Sequence, residues 1–271
     1  MSDRAIGVFD SGVGGLTTVK ELVKLLPNEN IVYLGDTARV PYGTKSRDTI
    51  AKYARQDIEF LLENDVKMIL VACGTISSAM MHEPIFENVD LPYSGVVVPT
   101  AKAACNATKN KRIGVLGTSA TIKSNSFVNA IKAIDKDIQV TSKACPMFVS
   151  LVENGYTARD CVVTKLIAEE YLQVMKADKV DTLILGCTHF PHLSEIIQDI
   201  MGDDVKLISS GAELAKFAVD KLLENGDSNN SGKPGIRKLY CTDSVELFTE
   251  NTDTFLGKDN NAQISKCVLK T

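Results

Sequence analysis

Two cysteines occupy positions from which a thiol could exchange a proton with a ligand. Val71-Ala72-Cys73-Gly74-Thr75 follows an apolar run and precedes a helical pattern. Leu185-Gly186-Cys187-Thr188-His189-Phe190-Pro191-His192 repeats that placement, with a histidine two residues after the cysteine. A thiol between a strand end and a helix N-terminus sits where partial positive charge favours thiolate. Taken alone, Cys73 also reads as a small apolar core residue. The second group admits a nucleophile, a proton shuttle, or a metal set of Cys187, His189 and His192. That spacing is not a standard zinc pattern, and no second cluster supplies further ligands. No metal is therefore expected.

Two loops accompany the cysteines. Phe9-Asp10-Ser11-Gly12-Val13-Gly14-Gly15 is a glycine-rich turn after a first strand. Thr17 stands where a dinucleotide motif needs its third glycine, no P-loop lysine follows, and Asp10 would repel phosphate. A carboxylate there suits orienting a thiol or binding an ammonium group; a plain tight turn is the alternative. In Gly35-Asp36-Thr37-Ala38-Arg39-Val40-Pro41-Tyr42-Gly43, Pro41 and Gly43 imply a fixed loop whose backbone N–H groups could face a ligand. Arg39 is expected to pair with Asp36 rather than with a substrate carboxylate.

These segments need a frame that brings them together. Continuous apolar runs predict strands at 6–9, 31–34, 68–72, 94–99, 112–116 and 182–186, and near 205–208, 239–241 and 264–269. Helical spacing predicts a helix ending near Pro27, one over 47–64 and one containing 245–248. The rhythm is that of an α/β fold with helices on both faces of a parallel sheet. Ile6-Gly7-Val8 recurs as Ile113-Gly114-Val115, and MILVACGT recurs loosely as LILGCTH. Two pseudo-symmetric, doubly wound parallel-sheet domains are expected, with the active site in the cleft between them. Pro99 and the strand near 205–208 place residues 1–98 and 208–271 in one domain and 99–207 in the other. Residues 225–235 read as a polar loop.

Composition fits this frame. The chain has 271 residues, 44% hydrophobic and 24% charged, and a formal net charge of −4, so no nucleic-acid partner is expected. No apolar run approaches the roughly 20 residues of a membrane helix. The opening MSDRAIGVFD has no signal-peptide pattern, which predicts a cytoplasmic protein with reduced thiols. Seven dispersed cysteines argue against a disulfide frame.

The four motifs together, with RIGVLGTSATI at 112–122, resemble the glutamate racemases of the aspartate/glutamate racemase superfamily across nearly the whole chain. The resemblance implies Cys73 and Cys187 as paired acid/bases, supported by Asp10 and His189 respectively. It implies substrate contacts from Asp10, Ser11, Pro41, Tyr42, Gly43, Gly74, Thr75, Thr118, Thr121, Glu153, Thr188 and His189. It further implies no organic cofactor, a homodimer, and D-glutamate supply for peptidoglycan. One departure stands out: the family commonly has Asn after the first cysteine, where this chain has Gly74. Racemisation of a related acid such as aspartate, or a non-catalytic ligand-binding role, are the competing expectations. The chemistry explains the pairing, because one group must remove the α-proton while another returns a proton to the opposite face.

Overall fold

The computed structural model describes residues 2–257 and 260–270. Strands β1 (Ala5–Asp10), β2 (Ile31–Gly35), β3 (Val66–Val71) and β4 (Tyr93–Gly95) open the chain. Strands β5 (Arg112–Gly117), β6 (Gln139–Ala144), β7 (Thr182–Leu185) and β8 (Lys206–Ser209) follow, then β9 (Arg237–Cys241) and β10 (Ala262–Lys266). They form two sheets, ordered β10-β9-β2-β1-β3-β4 and β6-β5-β7-β8, in which every pairing is parallel. Helices fill the crossovers: α1 (Leu16–Leu25), α2 (Arg47–Glu63), α3 (Gly74–Met80), α4 (Val97–Ala107), α5 (Ser119–Lys123) and α6 (Ser126–Ile134). The remainder are α7 (Pro146–Glu153), α8 (Val162–Ala177), α9 (Ser194–Met201), α10 (Ser210–Asn225) and α11 (Val245–Leu256).

The order β2-β1-β3-β4 in one sheet matches β6-β5-β7-β8 in the other. The internal repeat lies on equivalent strands: Gly7 of β1 pairs Ile69 of β3, and Gly114 of β5 pairs Leu183 of β7. Strands β2, β3 and β7 are buried along their whole length, which is why their sequences run apolar without alternation. One continuous core joins Ile6, Val8, Leu16 and Val19 of the first sheet and its helix to Leu214 of α10, Val97 of α4, and Val115 and Leu183 of the second sheet. A second core, with Phe9, Leu34, Ile58 and Val71, lies under α2 on the other face of the first sheet.

Two features of the sequence expectation change. The predicted strand at 94–99 is a three-residue edge strand, after which Val97 starts α4. Its buried residues Val97, Thr100, Ala101 and Ala104 recur at helical spacing. Pro99 fits the first helical turn, whose N–H groups lack intrahelical partners in any case. Strand β6 went unpredicted because QVTSKA lies half exposed at a sheet edge and carries no apolar run.

Candidate active site

The carboxyl ends of β1, β3, β5 and β7 face one cavity of about 430 Å³. Both cysteines line it. Cys73 caps the N-terminus of α3 immediately after β3; Cys187 stands two residues beyond β7. The thiols thus leave equivalent strands of the two sheets and enter the same space.

Each has its own polar neighbours. The Cys73 thiol donates to Ser11 Oγ at 3.5 Å. Asp10 closes β1 beside it, where Oδ2 accepts from the backbone N–H groups of Gly12 and Gly15 at 3.2 and 3.1 Å. The buried Oδ1 has no hydrogen-bond partner among the described residues. Burial raises the Asp10 pKa, against the opposing pull of His189 and the two loop N–H groups. Burial, then the Asp10 charge, pushes the Cys73 thiol up to about 12. Cys73 therefore carries its proton.

Cys187 faces a cation instead. Its Sγ lies 3.8 Å from His189 Nδ1, and His189 Nε2 lies 3.1 Å from Glu153 Oε1. Burial lowers the His189 pKa, but the hydrogen bonds to Cys187 and Glu153 outweigh it and hold the imidazole up at about 10. Both ring nitrogens then donate. Glu153 is half exposed, so solvent screens part of its charge. His192 points elsewhere: its ring packs on Phe255 at 4.3 Å, and burial drives its pKa down to about 4. Cys187, His189 and His192 do not form a metal-binding group; none is found among the described residues.

The fourth motif folds as two single turns, Thr37–Arg39 and Tyr42–Thr44, joined by a cis Val40–Pro41 bond. A network built on the buried Asp36, Tyr42 and Asp57, with Arg39 and Thr242 partly buried, anchors it. Asp36 accepts from the Tyr42 hydroxyl and from Arg39 Nε, and also from Thr242 Oγ1 at 2.9 Å. Arg39 Nη2 donates to Asp57 of α2 at 3.1 Å. Arg39 therefore pairs with Asp36, as the sequence suggests, and additionally with Asp57. Burial, then the Asp36 charge, raises the Asp57 pKa well above the carboxylate range despite Arg39. One cation thus faces two buried carboxyls, and burial favours the neutral form of Asp57.

Every site residue expected from the sequence lines the cavity except Thr121. Thr121 is buried behind it, hydrogen-bonded at 3.0 Å to Thr118 Oγ1, which in turn meets Thr75 Oγ1 at 3.2 Å across the two lobes. The sequence reading missed Pro146, Val149 and Ser150, which line the cavity with Glu153 along one face of α7. Their spacing from Glu153 is helical, and extending that periodicity backwards would have found them.

Two glycines set how closely the lobes meet. A Cβ on Gly74 would lie 2.3 Å from the Gly186 carbonyl oxygen, and one on Gly14 would lie 2.2 Å from Thr188 Oγ1 and 2.6 Å from His189 Cε1. Gly74 therefore supplies close backbone approach where the family commonly supplies an amide side chain.

Two parallel-sheet lobes, each bringing a thiol and its polar neighbours to one shared cavity, define a two-lobed α/β protein with an enzyme-like cleft. Comparison with known proteins narrows the class to isomerases. Residues 6–218 match the Asp/Glu/hydantoin racemase family, and the chain belongs to that family. A curated glutamate racemase from Geobacter metallireducens is 42% identical over 255 residues, covering 94% of this chain and 93% of its own. A crystal structure of a glutamate racemase isoform from Bacillus anthracis superimposes with a TM-score of 0.91 at 35% identity, covering 100% of this chain and 98% of its own. The glutamate racemase from Francisella tularensis, solved in complex with D-glutamate, gives 0.88 at 38% identity over the same shares.

Proposed function

We propose that this isomerase interconverts L- and D-glutamate without an organic cofactor, using Cys73 and Cys187 as its two acid/bases. The observation that carries the reading is the delivery of two thiols from equivalent strand ends into one cavity. The similarity to glutamate racemases supports glutamate over aspartate. Cys73 takes the α-proton of the D-enantiomer and Cys187 that of the L-enantiomer, each thiol returning a proton when the other acts as base. The site is poised for the L-to-D direction, since Cys73 holds its proton and His189 offers Cys187 a counter-cation. The unpartnered Asp10 Oδ1 is available to the substrate ammonium group. Hydroxyls of Ser11, Thr75, Thr118 and Thr188, and N–H groups around Tyr42, Gly43 and Gly74, receive the carboxylates and stabilise the carbanion-like state. Thr121 acts on the substrate through Thr118 rather than by contact.

The same reading divides the chain at residues 98/99 and 207/208 into lobes that close on substrate, and makes D-glutamate for peptidoglycan the product's use. The test is solvent deuterium incorporation at the α-carbon of D- and L-glutamate and of both aspartates, with wild type, Cys73→Ala and Cys187→Ala. Exchange of both glutamate enantiomers by wild type, with loss of racemisation in both variants, is expected. Near-wild-type turnover by either variant overturns the two-thiol scheme, and faster exchange of aspartate overturns the substrate.

A further inference from the structure

A second cavity, of about 370 Å³, opens beside the first on the same face of the molecule. The two share Gly43, Thr44, Thr75 and Ser119. Its walls differ in charge. Lys45 and Arg47 line it from the first lobe and Lys123 from the second, and no carboxylate lines it. None of the three cations forms an ion pair among the described residues. Lys45 approaches only the Tyr53 ring, at 6.0 Å. Asp48, the nearest acid in sequence, does not line the cavity.

Hydroxyls complete the wall: those of Thr44, Thr75, Ser78 and Ser124 are held by Pro41, Thr118, Ser126 and Thr121, while that of Ser119 has no hydrogen-bond partner among the described residues. The 17-residue helix α2 adds its positive end, since Arg47 opens it and Ile50 of the same turn lines the cavity. A chain of net charge −4 has acids to spare for neutralising three neighbouring cations, yet here it places none. Like charges gathered around a recess with hydroxyl donors are stabilised when an anion occupies it.

We propose that this cavity is a binding site for a compact phosphate-bearing polyanion, adjoining the substrate cavity and bridging the two lobes. Lys45 and Arg47 hold the anion from one side and Lys123 from the other, with the Ser119 hydroxyl donating to a remaining oxygen. Bridging follows from the ownership of the cations: α2 belongs to the first sheet's lobe and α5 to the second. The site does not depend on which amino acid the enzyme racemises.

The experiment is calorimetric titration of pyrophosphate into the full-length protein, with and without saturating D-glutamate, alongside citrate as a polycarboxylate of similar charge. The variants are Lys45→Gln, Arg47→Gln and Lys123→Gln, singly and combined. Saturable pyrophosphate binding that persists with D-glutamate present is expected. Each single variant should weaken it about tenfold, in line with loss of one charge-assisted contact, without abolishing racemisation. Citrate should bind more weakly than pyrophosphate. No binding to wild type at millimolar pyrophosphate, equal binding by the combined variant, or simple displacement by D-glutamate each overturns the proposal. Tighter binding of citrate than of pyrophosphate overturns the phosphate assignment.

Discussion

At the scale of single residues, Gly74 changes meaning between sequence and structure. In the sequence it is the loss of an amide. In the structure it lets the end of β3 meet the carbonyl of Gly186 across the cleft, at a separation that leaves no room for a methyl group. That carbonyl belongs to backbone beside Cys187, so it cannot swing aside as a side chain would. Gly74→Ala should force the lobes apart, lowering kcat/KM for racemisation by about tenfold or more, equivalent to ~1.4 kcal/mol of transition-state stabilisation. Steady-state kinetics in both directions checks this, and an unchanged kcat/KM would show that the lobes close without that contact. Glu153 makes a different kind of residue argument. Its bond to His189 is among the forces that hold the imidazole protonated. Glu153→Gln keeps the shape but removes the charge, so the alkaline fall in activity attributable to His189 should move to lower pH than in the wild type. A pH–rate profile measures the move, and an identical alkaline limb would detach Glu153 from His189's protonation.

At the scale of elements, the loop carrying Tyr42 owes its position to α2 and to the chain after β9. Asp36 holds Tyr42, Arg39 and Thr242 together, whereas Asp57 meets the far side of Arg39 and the neighbouring Tyr42, and its burial favours the neutral carboxyl. The two carboxyls therefore predict opposite outcomes. Asp57→Asn imitates a neutral acid and should leave the melting temperature and KM near wild type. Asp36→Asn strips a partly buried guanidinium of its counter-charge and should cost about 1–3 kcal/mol of stability while raising KM. Denaturant unfolding and steady-state kinetics on the pair test it; equal losses would mean that Asp57 is ionised. This network also marks what the sequence can convey. Asp36–Arg39 pairing was legible because the partners are three residues apart. Thr242 was not, because only the parallel order β9-β2-β1 brings it to the loop, nor was Asp57, which the packing of α2 brings there. Buried strands were legible from unbroken apolar runs, and the paired cysteines from matching strand ends. Strand β6 was not, being a polar edge, and Val96-Val97-Val98 misled because tertiary packing there selects helical spacing over β-propensity.

At the scale of the whole molecule, the lobes share a core but meet at the cleft through few polar contacts, so small charges placed between them carry weight. His192 is such a place. It belongs to the short turn after Cys187, yet its ring lies on Phe255 of α11, a helix that follows the first sheet's β9. Burial, with the neighbouring His189 and Lys20 charges, depresses its pKa to about 4. The unfolded chain protonates this histidine near its ordinary value of about 6.5, while the folded chain resists until about pH 4. Between those values the unfolded state binds more protons, so stability must rise with pH across the window and fall as the solution is acidified through it. His192→Phe keeps the aromatic contact and removes the titration. The wild type should lose melting temperature from pH 6.5 to 4.5 more steeply than the variant, with the two curves running parallel above pH 7, where His192 is neutral in both states. Thermal unfolding across that range tests the claim. Parallel curves throughout would mean that His192 titrates alike in the folded and unfolded chains, and that its seat between the lobes is open to water.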